Sequence, residues 1–113
     1  GEPFRGDRQL RWHAGKTGAT LKLTFDSKQA GSKQVLARFK QAPDFAIVQV
    51  YINGRKAGDP IDCYHQEATI SGEIDLDRFD LKQGSNELTL ETTGNNPAAR
   101  PKMVIGLDYV RIK

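Results

Sequence analysis

Apolar and polar residues alternate along much of this chain. In Thr20–Asp26, Leu21, Leu23 and Phe25 fall on one side, and Lys22, Thr24 and Asp26 on the other. In "NELTLETT", Leu88 and Leu90 oppose Glu87, Thr89 and Glu91. A period of two is that of a strand with one buried face. The runs "SKQVLARFK", "FAIVQVYIN", "ATISGEIDL" and "MVIGLDYVRIK" add β-branched and aromatic residues, which favour strands. Turn signals separate these runs at Ala30-Gly31, Pro43-Asp44, Asn53-Gly54, Asp59-Pro60, Gln83-Gly84 and Asn96-Pro97. Asn53-Gly54 is the strongest hairpin signal, because both residues tolerate the positive φ of a type I′ turn.

The pattern predicts strands over 8–13, 20–26, 33–40, 45–52, 60–64, 69–75, 86–92 and 103–112. The strand over 45–52 is apolar on both faces, with Ala46, Val48, Val50 and Ile52 against Ile47, Gln49 and Tyr51, which suits an inner position. Helical signal is confined to "DRFDL" (77 to 81), one turn at most. About eight short strands with no long helix predict an all-β fold, a sandwich or a barrel of antiparallel strands. If every strand reverses the one before, loops 14–19, 41–44, 65–68 and 93–102 share one end, and 27–32, 53–59 and 76–85 the other.

The chain has 113 residues, the size of one domain, 1–113, long enough for a core without metals or disulfides. It opens on Gly1 with no methionine, as a piece of a larger multidomain protein would, and equally a chain whose signal has been removed. Seventeen Lys and Arg against 14 Asp and Glu give a net charge of +3. The charges alternate in sign with no basic stripe, which argues against a nucleic-acid binder. No apolar run approaches the roughly 20 residues that span a bilayer. The lone Cys63 cannot form an internal disulfide.

Catalytic signals are weak. His13 and His65 are the only histidines and form no His-x-His pair, so no metal site is expected. Cys63 and His65 are two apart and would share a strand face, but a Cys closing the strand "PIDCY" reads more simply as a small core residue. Glu73 and Asp75 would also share a face and could flank a glycosidic bond, but the solvated face of an acidic edge strand explains them more simply. "GKTGAT" lacks the first glycine of a phosphate loop, and no helix follows it.

Binding chemistry remains. A sugar offers an apolar C–H face and a fringe of hydroxyls, so its site combines an aromatic platform with a few polar groups. Trp12, Tyr51, Tyr64 and Tyr109 are the candidate platforms, Trp12 and Tyr64 at the loop-rich end, where Asp44, His65, Asn95, Asn96 and Arg100 supply the fringe. Leu10 and Trp12 share a face by alternation, which gives Trp12 a core reading as well.

The succession "GDRQLRWHAGKTGATLKLTF", "AGSKQVLARFKQAPDFAIVQVYINGRKAGDPIDCYH" and "LKQGSNELTLETTGNNPAARPKMVIGLDYVRIK" resembles the galactose-binding-like jelly rolls. These include carbohydrate-binding modules and accessory β-sandwich domains of bacterial secreted glycoside hydrolases, DUF2961-type proteins among them. The resemblance covers nearly the whole chain and is most specific in "G-x-N-x-L-x-L" and "GLDYVRI", which are strand and turn signatures. It implies an antiparallel jelly-roll β-sandwich, secreted or at the cell surface, that binds a glycan or polysaccharide for an attached enzyme domain. The alternative is a structural domain that packs on a catalytic neighbour through an apolar patch and has no sugar site. A small enzyme using Cys63 and His65, or the acids at 73–77, is the third reading. Many such modules hold a structural calcium; Asp108 matches the last-strand acid, but Arg8-Gln9-Leu10-Arg11 stands where first-strand acids would be.

Overall fold

The computed structural model describes residues 10–113, so the first two positions of the expected strand 8–13 lie outside the described residues. Its strands are β1 (Leu10–His13), β2 (Thr20–Ser27), β3 (Gly31–Gln41), β4 (Ile47–Ile52), β5 (Arg55–Asp62), β6 (Thr69–Ile70), β7 (Ile74–Leu81), β8 (Gly84–Gly94) and β9 (Val104–Ile112). They form two sheets. One runs β2-β8-β4-β5; the other runs β1-β9-β3, with β6 and β7 sharing the far side of β3. All the strand pairs are antiparallel. Among the described residues there is no helix.

The alternation seen in the sequence becomes the core. Leu23, Phe25, Leu88 and Leu90 from one sheet face Val35, Ala37, Phe39, Ile105 and Leu107 from the other, all buried. β4 is an inner strand, between β8 and β5, as its two apolar faces require. Asn53 and Gly54 hold φ of 48° and 81°, and Ile52 pairs with Arg55 across them, the predicted two-residue hairpin.

Among the described residues nine strands stand where about eight were expected, and the differences have local causes. The expected strand 69–75 is divided into β6 and β7 by residues 71–73. The segment 77–81, expected as at most a helical turn, is part of β7. Asp77 has φ 76° at a register shift against β3, so an extra residue is inserted there. Leu76 and Phe79 therefore both reach the core although they are three apart, a spacing that imitates a helix. β5 begins five residues earlier than the expected 60–64, and Pro60 lies inside it rather than at its start. The ladder passes from Val48↔Ile61 to Val50↔Ala57, so Gly58, Asp59 and Pro60 bulge out where Pro60 has no N–H to pair. The amide of Gln49, 3% exposed, fills that bulge by donating to Gly58 O (3.2 Å) and Val50 O (3.0 Å).

The division of β6 from β7 does not change the parity of the chain. β6 meets β3 at Gln41↔Thr69 and β7 leaves it at Gly31↔Leu81, so together they run one length of the sheet. The connections after β1, β3, β5 and β8 accordingly meet at one end. The turns after β2, β4 and β7 meet at the other.

Candidate functional site at the loop-rich end

Backbone bonds tie the four connections of the loop-rich end together. Ala14 N and Gly15 N donate to Met103 O, and Gly18 N to Thr92 O. Arg100 N donates to Pro43 O (2.8 Å), Val104 N to Asp44 O (3.1 Å), and His65 N to Ala42 O (3.2 Å). Thr92, fully buried, reaches up from β8 and donates its hydroxyl to Lys16 O at 2.7 Å. "GKTGAT" is thus held as a turn between strands. Met103 keeps a left-handed φ of 54°, a cost that persists only where surrounding bonds over-determine the backbone.

Asp62 organises the middle of this rim. Its Oδ1 accepts from Tyr64 N (2.9 Å), and its Oδ2 from Asn96 Nδ2 (2.8 Å). Asn96 Oδ1 in turn accepts from Ala98 N (3.0 Å). One carboxylate therefore joins the strand end that carries Tyr64 to the 95–103 loop. Sequence reasoning missed Asp62; the Asp-x-Tyr spacing, in which an Asp caps the residue two on, was the signal available.

The expected site residues do not form one cluster. Tyr64, Asn96 and, through its backbone, His65 meet around Asp62 and Ala42. Asp44 and Arg100 lie beside them, held by backbone bonds to Val104 and Pro43, and the Arg100 side chain is exposed. Trp12 is half-buried, pairs with Ile105 and packs on the core, so its ring lies toward the inner face. Tyr64 is the half-buried ring of the rim itself. Asn95 is half-buried too, and its Oδ1 is buried with no hydrogen-bond partner among the described residues.

The thiol–imidazole pair is not assembled. Cys63 is fully buried and its thiol is pushed up to about 12, by burial first and the Asp62 carboxylate second. Its Sγ faces Ile61 O at 3.9 Å, while His65 is exposed and its Nδ1 lies 2.8 Å from Glu67 O. Glu73 and Asp75 do not form an acid pair either. Asp75 Oδ1 caps Asp77 N (2.9 Å), whereas Glu73 lies before β7 and binds Arg111 at 2.6 and 2.8 Å and Tyr109 Oη at 2.7 Å. Arg111 and Tyr109 together hold the Glu73 carboxyl down at about 2, against a general acid's need. Calcium does not fit Asp108: its Oδ2 accepts from Arg38 Nε and Nη2, both at 2.7 Å. Among the described residues no three His, Cys, Asp or Glu side chains converge to hold a metal.

The specific motifs prove to be structural. Asn86 of "G-x-N-x-L-x-L", 3% exposed, closes the β7–β8 turn with bonds to Lys82 and Gly84, at the end opposite the rim. "GLDYVRI" supplies Asp108, Tyr109 and Arg111 to ion pairs and hydrogen bonds across the sheet.

Known structures repeat this architecture. A chain of Paenibacillus xanthan lyase superposes with a TM-score of 0.81 over 92% of this chain, at 23% identity. The present chain spans only 10% of that lyase. A family 35 carbohydrate-binding module from an environmental isolate gives a TM-score of 0.57 at 15% identity, covering 88% of this chain and 68% of the module. The fold is that of a carbohydrate-binding-module-like β-sandwich. A CBM36 domain of a multidomain xylanase, from the hindgut metagenome of Trinervitermes trinervoides, agrees, with a TM-score of 0.57 at 16% identity and coverage of 91% and 75%. These structures give no support to the narrower likeness to DUF2961-type proteins. No family model matches the chain. No curated protein sequence matches it significantly.

Proposed function

We propose that this carbohydrate-binding-module-like domain is a non-catalytic glycan-binding module, residues 1–113 forming one accessory domain of a larger, secreted, polysaccharide-active protein. The site is the rim built on Asp62. Tyr64 supplies the ring for the C–H face of a sugar, and Asn95, Asn96, His65, Asp44 and Arg100 the polar fringe. The observation that carries this reading is Asn95 Oδ1. It is a buried acceptor without a donor, on a loop whose backbone is otherwise well bonded. Leaving such an oxygen unpaired costs about 1–3 kcal/mol, so a shift of the 95–103 loop that opens it to a sugar hydroxyl recovers that cost.

The structures that share the fold support an extracellular polysaccharide context, since they are named for a xanthan lyase, a carbohydrate-binding module and a xylanase. A docking-only domain would expose an apolar patch. Among the described residues Ile70, 47% exposed, is the one large exposed hydrophobic, so no patch favours that reading. Calorimetric titration with xylan, mannan and xanthan oligosaccharides tests the proposal. Saturable binding to one of them, lost in Tyr64→Ala, is expected; no binding to any would reject it.

A further inference from the structure

The sheets of the sandwich have open edges, and most of them are blunted. β5 carries the Gly58-Asp59-Pro60 bulge against β4, and Pro60 has no N–H to offer a further strand. In the other sheet β1 has four residues and β6 two, and β7 is bulged at Asp77. β2 is different. Its eight residues pair with β8 in one unbroken register, from Thr20↔Glu91 to Ser27↔Gly84, with no proline, glycine or bulge. Among the described residues no strand pairs with its other side.

The ladder shows which groups that open side presents. Thr92 N donates to Ala19 O, just outside the Thr20↔Glu91 pair. Main-chain groups alternate in direction along an antiparallel strand. Leu21, Leu23 and Phe25 therefore bond to β8, while Thr20, Lys22, Thr24 and Asp26 turn their N–H and C=O groups to the open edge. Leu23 and Phe25 point into the core, so the side chains of Lys22, Thr24 and Asp26 lie on the outer face. Lys22 and Asp26 make no ion pair among the described residues.

This edge is complementary to itself. A two-fold axis at Thr24 sets Lys22 of each copy opposite Asp26 of the other, and Thr24 opposite Thr24. On the inner face it sets Leu23 opposite Phe25. The outer-face pairs fall where both main chains turn outward, so each exchanges two N–H···O bonds. Other registers fit less well. An axis at Lys22 or Asp26 places like charges opposite each other, and one at Phe25 places Lys22 against Lys28. An axis at Leu23 leaves both charges facing threonines. A lysine on an edge normally discourages pairing. Here it rejects strands that bring no opposed carboxylate and accepts this one.

We propose that β2 is a dimerisation edge, whose partner is β2 of a second copy of this chain, joined antiparallel about Thr24. The two β2-β8-β4-β5 sheets become one. Main-chain bonds hold the pair, and the exposed Lys–Asp pairs, individually worth little, fix its register. The two loop-rich ends then point in opposite directions, so a dimer bridges two glycan chains. That consequence rests on the rim reading; the dimer itself does not.

Sedimentation velocity on the full chain, without glycan, tests the proposal over concentrations up to about 1 mM, the range of weak association. A monomer–dimer equilibrium is expected, with amide exchange at Lys22, Thr24 and Asp26 slowing as the dimer forms. Lys22→Asp and Asp26→Lys should each weaken dimerisation about tenfold, because like charges replace opposite ones at two symmetric places. The double variant restores both pairs with the signs exchanged and should recover the dimer. Thr24→Pro should abolish it and leave the fold intact by circular dichroism, because that N–H takes no part in the ladder to β8. Should the proline variant unfold, the charge exchange decides alone. A monomer at every concentration would overturn the proposal, as would a dimer that survives Thr24→Pro or a double variant no better than its parents. Slow exchange of the same three amides in dilute monomer would mean that the chain covers this edge itself, which overturns it too.

Discussion

The two ends of the sandwich use the same device and finish differently. At the tight-turn end, Asn53 and Asn86 staple two turns to each other. Asn86 Oδ1 accepts from Lys82 N (2.9 Å) and Asn53 Nδ2 (3.1 Å), its Nδ2 donates to Lys82 O and Gly84 O, and Asn53 Oδ1 accepts from Glu87 N (2.8 Å). Every polar atom of that pair is used within the fold. At the loop-rich end, Asp62 and Asn96 staple two loops in the same way, but the adjacent Asn95 leaves its Oδ1 buried and unpaired. A satisfied amide network specifies structure. An orphaned acceptor beside one is an unmet demand, and that contrast separates a scaffold end from the end proposed here to bind a glycan.

The largest effect should come from breaking the scaffold end. Asn86→Ala removes four hydrogen bonds of a buried amide and strands backbone groups of the β7–β8 turn, so it should cost about 2–3 kcal/mol in urea unfolding. Glycan affinity of the folded fraction should be unaltered; a lost affinity would mean that the two ends are not separable. Next comes the staple of the rim. Asp62→Ala frees the 95–103 loop from the strand end at a cost of about 1 kcal/mol, but it should lower glycan affinity more than Asn86→Ala does. Equal affinities in the two variants would undo the distinction.

Cys63 lies just beneath the rim and sharpens the boundary between core and site. Its raised value favours the neutral thiol in the folded state. That contribution is complete below the ordinary cysteine value near 9 and is lost as pH rises toward about 12. Native protein should therefore resist iodoacetamide at pH 8 and become reactive only on unfolding; rapid native alkylation would place Cys63 in the site. The smallest effect concerns Glu73, which belongs to neither end. Its lowered value contributes stability that is present above about 4.5 and is lost as pH falls toward about 2. Glu73→Gln should flatten the acid limb of the stability curve between those values and leave neutral pH nearly unchanged. A wild-type-like acid limb would assign that limb to other carboxylates.

The sequence made the fold legible wherever alternation ran unbroken. β2, β3, β4, β8 and β9 overlap closely with their expected ranges, and the loops sort to the two expected ends. Legibility failed at bulges. The extra residue at Asp77 and the Gly58-Asp59-Pro60 bulge shift the period, so β7 imitated a helical turn and the start of β5 looked like a loop. At the site, residue types were readable and partners were not. Nothing in "NNPAAR" distinguishes Asn96, which closes a turn onto Asp62, from Asn95, whose acceptor stays open.

Asn95→Ala removes the orphaned acceptor and no hydrogen bond made by it. Urea unfolding and calorimetric titration with the best-bound of the xylan, mannan and xanthan oligosaccharides are read on the same preparation. Stability should be unchanged or slightly raised, with glycan affinity reduced about tenfold, the loss of one buried hydrogen bond to the ligand. Unchanged affinity together with a loss of stability would contradict the proposed glycan site and make Asn95 part of the scaffold.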